Sequence, residues 1–329
     1  MVTLNDISKA SGFSPATISR LFKNDPTLSI KPKTKRIIYD TAIELGYPME
    51  KIRFAFDNVL FLYWISETDE HQDDYFRELY KQIMKFAKNK NLTLTVLRKG
   101  VLDASVLANY EAFIAVGSFS MGDLEMLETY FDYGVYVESQ HFQNKFDSVN
   151  PDLAFITKKA IRLFLDKGYR QIGFVGDAYF SPDLLVESRD VREVNFRNYL
   201  HSYSLLNEKF IFSGGKFSRE NGQVLARRML AGDELPQALL VASDTIALGV
   251  LDVLEAEGVS GIDIISINNI VSPLHQSQTL SSFTIDIEEM SRTAIGLLYE
   301  QLTQRRSVSK NVSIGSHLYE RATFILNKI

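Results

Sequence analysis

Cysteine is missing from the 329 residues, which excludes disulfides, thiolate metal sites and cysteine nucleophiles together. Histidine is scarce: His71, His141, His201, His275 and His317 are scattered, with no pair at the spacing of helical metal ligands. No metal site and no cofactor is expected on this basis. No apolar run reaches the ~18 residues of a membrane span, so no membrane partner is expected. The opening Met1-Val2-Thr3-Leu4-Asn5-Asp6 has neither the basic start nor the apolar core of a secretion signal, which points to a cytoplasmic protein. The usual phosphate-cradling and nucleophile-elbow motifs are also missing: there is no G-x-G-x-x-G after the first strand, no Walker lysine loop and no G-x-S-x-G. No catalytic residues are assigned, and the chain is read as a binding protein and not an enzyme.

What is present is ordinary globular material, 45% hydrophobic and 23% charged, in a chain long enough for two or three domains. The net charge of −5 is unevenly spread: residues 1–56 carry nine Lys/Arg against five Asp/Glu, so a head of +4 joins a body of −9. A basic head on an acidic body is the asymmetry of a nucleic-acid reader joined to another function.

Three short helices are legible in the head. Thr3 with Asp6 three residues on has the spacing of a capping box, and Leu4, Ile7 and Ala10 follow at helical intervals. Ser11-Gly12-Phe13-Ser14 is a tight turn. Ser14 then caps a second helix with Pro15 at its first position, where a missing N–H costs nothing. The third helix runs from about Lys33 to Leu45, with Ile37, Ile38, Thr41, Ala42 and Leu45 as its inward stripe and Gly46 as its stop. Two short helices around a glycine turn form the helix-turn-helix pattern. The outward face of the second helix must be small enough for the major groove. Pro15, Ala16, Thr17 and Ser19 meet that need, and Arg20 can donate bidentately to guanine. Ser14, Thr17, Lys33, Thr34 and Lys35 suit phosphate contacts. Without more, a small helical subdomain with solvated charges would fit as well.

From Val59 onward strands and helices alternate: Val59–Ile65, Leu92–Leu97, Ala112–Val116 and Val135–Val137, then again Ile172–Val175, Lys209–Phe212, Ala238–Val241 and Ile262–Ile267. The expected fold class is α/β, with the three-helix head followed by two doubly wound subdomains whose parallel sheets are covered on both faces. Ligands of such sheets meet the carboxyl ends of the strands, here expected at a cleft between the subdomains. The expected boundaries are 1–48 for the head, 49–57 for a hinge or linker, and 58–329 for the core. Within the core an N-subdomain covers about 58–152 and 287–315, and a C-subdomain about 153–286 and 316–329.

The stretch Val2 to Arg20, with Thr34-Lys35-Arg36-Ile37 and Glu44-Leu45-Gly46-Tyr47-Pro48, resembles the N-terminal signature of the LacI/GalR repressor family. The core resembles the same family, which is similar to periplasmic sugar-binding proteins; the matching segments are Gly168–Gly176, Ser188–Phe196, Ala242–Gly249 and Ser266–Asn269. The resemblance implies a homodimer on double-stranded operator DNA, released by a small-molecule effector, a sugar. The loop Asn24–Leu28 and the stretch Asp190–Glu193 lean towards the galactoside and galactose repressors. It also implies effector roles for Arg192, for Ser243 and Asp244, and for Asn268, where the family more often has aspartate. Glu138 falls at a ligand aspartate and Phe217 at an aromatic that faces the effector. Read alone, Arg192 suits a surface ion pair, Asp244 a helix cap, and Phe217 and Trp64 core aromatics. The hinge departs from the family: Arg53 falls at its arginine, but Ala55 stands where a leucine wedges into the minor groove. Phe54 or Phe56 could take that part, or the segment could be a plain linker. Three rival readings are a carbon-catabolite regulator whose co-repressor is a phosphorylated carrier protein, a solute-binding protein that does not touch DNA, and a carbohydrate- or nucleoside-processing enzyme.

Overall fold

The computed structural model describes the chain except residues 66–73, 99, 101, 140–144, 178, 181–186, 271–278, 307 and 327–329, so that His71, His141 and His275 lie outside the described residues. The head holds α1 (Leu4–Ser11), α2 (Pro15–Phe22) and α3 (Pro32–Glu44). The Thr3/Asp6 capping box is present in full, and Ser14 accepts from the Thr17 amide with Pro15 at the first position of α2. Gly12 and Gly46 end α1 and α3 at φ 78° and 74°, left-handed values that a Cβ would strain. Ile7, Ile18, Leu21 and Ile38 close the small core of the head.

The third helix buries a different face from the expected one. Ile38, Tyr39 and Ala42 are buried, whereas Ile37 and Leu45 are exposed. The cause is the segment that follows. After a single 3-10 turn at Met49–Lys51 the chain runs extended, and Phe54 and Phe56 turn back onto Tyr39 with ring centroids 4.8 and 5.8 Å away. Phe54 and Phe56 are 3% and 2% exposed, so neither presents a wedge to DNA in this structure. Tyr299 adds an edge to both rings, while Arg53 is exposed and its backbone amide donates to the Phe22 carbonyl at 2.8 Å.

The chain divides into two compact units, Met1–Asn150 with Ile287–Val312, and Pro151–Asp286 with Ser313–Ile329. The sheet of the first has the order β13-β5-β4-β3-β1-β2, from β1 (Phe56–Tyr63), β2 (Leu92–Arg98), β3 (Ala112–Val116), β4 (Gly134–Val137), β5 (Asp147–Pro151) and β13 (Asn311–Ile314). Its helices are α4 (Asp74–Asn89), α5 (Ala104–Leu107), α6 (Met121–Tyr130) and α11 (Ile287–Gln304). β1 pairs in parallel with β2 and β3, which is the doubly wound switch point of this sheet.

The second unit repeats the plan with the order β14-β12-β11-β10-β6-β9. Here β6 is Ile172–Gly176, β9 Ile211–Ser213, β10 Ala238–Val241, β11 Asp263–Asn268, β12 Ser281–Thr284 and β14 Leu318–Tyr319, of which only β14 runs antiparallel to its neighbour. A short ribbon of β7 (Tyr179–Phe180) and β8 (Glu187–Ser188) follows β6. Helices α7 (Leu153–Asp166), α8 (Val191–Ser202), α9 (Arg219–Leu230) and α10 (Asp244–Ala256) complete the unit. The α/β class and its two doubly wound sheets are thus as the strand and helix periodicities predict.

Helices α9 and α10 meet backbone to backbone. A Cβ at Gly249 would lie 1.9 Å from the Arg219 carbonyl oxygen, and one at Gly222 would lie 2.2 Å from that of Ile246. Backbone cannot swing aside as a side chain can. Gly249→Ala is therefore expected to cost about 1–3 kcal/mol in urea unfolding by overpacking.

Candidate functional site

The first candidate surface is the exposed side of α2 and the start of α3. Ser14, Pro15, Ala16 and Arg20 are exposed, with Thr17 and Ser19 half-buried beside them. Ser14 and Thr17 hydroxyls lie 2.9 Å apart at the start of α2. Arg20 is not a free-swinging side chain: its Nε donates to Asp25 Oδ2 at 2.7 Å and its Nη2 to Thr27 Oγ1 at 2.8 Å. Hydrogen bonds from Arg20 and then Thr27 hold the Asp25 carboxyl at about 2, so this brace stays charged at any pH where DNA binding is measured. The loop after α2 thereby orients the guanidinium.

Lys33 is exposed and Thr34 half-buried at the first turn of α3, whose N-terminal dipole also favours an anion. Lys35 stands apart from them, because its ammonium is engaged by Asp57. Neighbouring contacts hold the head against the core of its own unit. Arg305 pairs with Asp40 and Glu44 at 2.7 and 2.5 Å, and Arg36 donates to Tyr133 Oη at 3.1 Å.

The second candidate site lies at the carboxyl ends of β6, β9, β10 and β11, around the β6/β10 switch point. Arg192, in the first turn of α8, is buried at 9% exposure. Its Nε and Nη2 grip Asp190 Oδ1 and Oδ2 at 2.7 and 2.8 Å, and its Nη1 donates to the Ala242 carbonyl at 2.7 Å. The guanidinium carbon stands 4.9 Å from the centroid of the Phe217 ring, which is partly open to solvent. Asp190 also caps α8, accepting from the Arg192 amide at 2.8 Å. Burial pushes the Asp190 carboxyl up, but the charge and hydrogen bonds of Arg192 outweigh it and hold the group below its usual value. Arg192 is thus an ion-pair partner, but a buried one.

Ser243, not Asp244, caps α10, accepting from the Ile246 amide at 3.3 Å. Asp244 is tied to structure: its Oδ1 accepts from Ser266 and Ser282 at 2.5 and 2.6 Å and its Oδ2 from the Ile270 amide at 2.8 Å. Those bonds fix the ends of β11 and β12 relative to β10. Asn268 ends β11 half-buried at φ 115°. Glu138 belongs to the first unit, where it follows β4 at φ 58° and accepts from the Tyr75 hydroxyl. The second unit therefore gathers Arg192, Phe217, Ser243, Asp244 and Asn268 along one sheet edge.

Two carboxylates there escaped the sequence reading. Asp190 is signalled by its Asp-x-Arg spacing just before a helix. Asp177, directly after β6, is 6% exposed and its Oδ1 has no hydrogen-bond partner among the described residues. Burial pushes Asp177 up to about 7, partly offset by Arg192 and reinforced by Asp190 and Glu193. The folded protein therefore holds this proton where the unfolded chain has lost it, and stability falls as pH rises from about 4 through about 7. Asp177→Asn is expected to be more stable than the parent at about pH 8, by roughly 2 kcal/mol, with the advantage vanishing near pH 4. Urea unfolding at the two pH values measures it.

Comparison with known proteins identifies the fold and the family. The model of the periplasmic binding protein-like domain matches residues 161–324. The HTH-type transcriptional regulator GanR of Bacillus subtilis (strain 168) is 36% identical over 326 residues, covering 98% of this chain and 99% of that one. LacR of Lactobacillus helveticus, another HTH-type transcriptional regulator, is 32% identical and covers 99% of each. Among solved structures, a transcriptional regulator CelR–cellobiose complex has a TM-score of 0.69 at 17% identity, covering 98% of this chain and 100% of that chain. A lac repressor dimer bound to operator and the anti-inducer ONPF has the same TM-score at 18% identity, covering 98% of each chain. Among the described residues no helix is long and apolar enough to cross a membrane. With the capped helix-turn-helix head, the doubly wound pair of sheets and relatives matched end to end, the chain belongs to the LacI/GalR family of HTH-type transcriptional regulators.

Proposed function

We propose that this protein is a homodimeric repressor of a sugar-utilisation operon, released from its operator by galactose or a galactoside. It is a switch without catalysis of its own, and it works in the cytoplasm where its DNA lies. The observation that carries the effector half is Arg192: a buried guanidinium clamped by Asp190 and facing the Phe217 ring at a doubly wound switch point. A polar fork beside an aromatic face is what a polyol ring needs. Ser243 and Asn268 supply further hydrogen-bonding groups, and Asp244 acts by fixing the strand ends around them. Glu138, at the end of β4, is assigned as another acceptor for sugar hydroxyls. The galactoside preference rests on the resemblance of the Asp190–Glu193 stretch and on relatives named LacR and GalR.

On the DNA side, α2 enters the major groove. Arg20 reads guanine, Pro15, Ala16 and Ser19 permit close approach, and Ser14, Thr17, Lys33 and Thr34 bind phosphates. Lys35 joins them only by giving up Asp57, and Arg53 lies exposed for a backbone contact. Arg20→Ala is expected to weaken operator binding by about 1–3 kcal/mol and relax the preference at one base pair. Lys33→Ala should weaken all sequences alike and shallow the salt dependence.

The test is fluorescence anisotropy on duplex from upstream of the protein's own gene, at one stated salt concentration, with and without galactose and galactosides. Binding tighter than to random duplex, released by one of these sugars, supports the proposal. Specific binding that no galactoside relieves would remove the effector assignment, and a phosphorylated carrier protein that strengthens binding would establish the rival regulator.

A further inference from the structure

The Oδ1 of Asp177, which has no hydrogen-bond partner among the described residues, bears on which sugars this site takes. Asp177 follows Gly176, the last residue of β6, where a Cβ would come within 3.3 Å of Ala242 Cβ and 2.6 Å of the Phe174 ring. The missing side chain lets the ends of β6 and β10 close up at the switch point. Asp177 is thereby set near Arg192, which holds the Ala242 carbonyl. A buried acceptor with no donor is costly, and native folds keep few of them. The nearby cation is already claimed, since Arg192 grips both oxygens of Asp190. Arg197, the next cation along α8, is bound to Glu193 and Glu208. Among the described residues no donor reaches Asp177 Oδ1.

The charge balance bears on what brings one. Arg192 and Asp190 cancel as a pair, Arg189 and Arg197 balance Glu193 and Glu208, and Asp177 adds negative charge when ionised. An anionic ligand beside Asp177 would meet this carboxylate, while Arg189, Arg192 and Arg197 are already paired.

Building on the effector reading above, we propose that Asp177 contacts the effector, its free Oδ1 accepting a hydrogen bond from a hydroxyl of an uncharged sugar. By the same contact it excludes sugar phosphates. Asp177 is then a specificity residue alongside Arg192.

The test is isothermal titration of the full-length protein with galactose, lactose and galactose 6-phosphate, for the parent, Asp177→Ala and Asp177→Asn. Unfolding curves confirm that each variant is folded; Asp177→Asn serves if Asp177→Ala is not. The parent is expected to bind a neutral sugar and to bind it at least about tenfold tighter than galactose 6-phosphate. Asp177→Ala should lose about tenfold or more for the neutral sugar. Both variants should narrow the gap between neutral and phosphorylated ligand. A neutral-sugar affinity of Asp177→Ala within about threefold of the parent would overturn the proposal while leaving the effector site intact. So would an Asp177→Asn variant, which keeps an acceptor but no charge, that discriminates against the phosphate as strongly as the parent. Tighter binding of the phosphate by the parent would also overturn it. A parent that binds neither neutral sugar contradicts the galactoside reading itself, and this proposal falls with it.

Discussion

Arg192→Ala is expected to abolish release of operator by galactosides and to destabilise the second unit by about 3–5 kcal/mol. Both effects come from one geometry. Asp190 is 3% exposed and its two oxygens are held by Arg192, so removing the guanidinium strands a buried carboxylate. The Ala242 carbonyl loses its donor and the Phe217 ring its cationic neighbour at the same stroke. Stability and ligand response can be separated by removing both charges. Arg192→Leu combined with Asp190→Ser keeps a hydroxyl to cap α8 and removes both ions of the pair. It is expected to recover most of the stability, because a buried pair replaced on both sides costs little, yet to remain blind to galactosides. Urea unfolding and operator release, measured on the same preparations, check the two halves. Recovery of sugar response in the double variant would show that Arg192 serves the fold alone.

Phe54→Ala should also cost about 3–5 kcal/mol, and its effect should be to free the head. Two kinds of contact hold the head in place, and their magnitudes decide which matters. The ion pairs of Arg305 with Asp40 and Glu44 are a third or more open on one or both sides and contribute at most about 1 kcal/mol each. Phe54, by contrast, is 3% exposed and touches Tyr39, Phe56 and Tyr299, so its loss leaves a cavity where the head meets the core. Limited proteolysis should cut the Phe54→Ala variant between α3 and β1 well before the parent. Arg305→Ala should be cut at nearly the parental rate. The reverse order of sensitivity would mean that the ion pairs, not the aromatic cluster, seat the head.

This seating is also where the sequence was least informative. Helix caps at Thr3 and Ser14 are local chemistry and can be read from neighbouring letters. Apolar runs such as Ala112–Val116 and Ala238–Val241 announce buried parallel strands directly. The orientation of α3 is another matter, because Tyr39 turns inward only through Phe54 and Phe56, residues beyond the end of the helix. β5 could not be read from propensity: Asp147-Ser148-Val149-Asn150-Pro151 is a poor strand sequence, held by pairing with β4 and by the buried ion pair of Asp147 with Arg306. α6 and α11 were likewise not read as elements, although Ser120 and Asp123 form a full capping box.

The candidate sites show the same division. Resemblance located Arg192, Ser243, Asp244 and Asn268, but it did not supply their tasks. That Ser243 caps while Asp244 braces two strands depends on Ser266 and Ser282, far along the chain. Asp177 carries no pattern at all. Its importance lies in an Oδ1 with no hydrogen-bond partner among the described residues, a property that only the folded chain possesses.

The central claim is that operator and sugar compete through one protein, and linkage tests it directly. The measurement is the galactoside affinity of the free protein and of the protein saturated with operator duplex, under identical salt. Because coupling between two ligands is reciprocal, the sugar should bind the operator complex more weakly by the same factor by which it weakens operator binding. A factor of about 5–150 is the range expected of such coupling. Equal sugar affinities in the two states would contradict the account, since a ligand that does not distinguish them cannot release DNA.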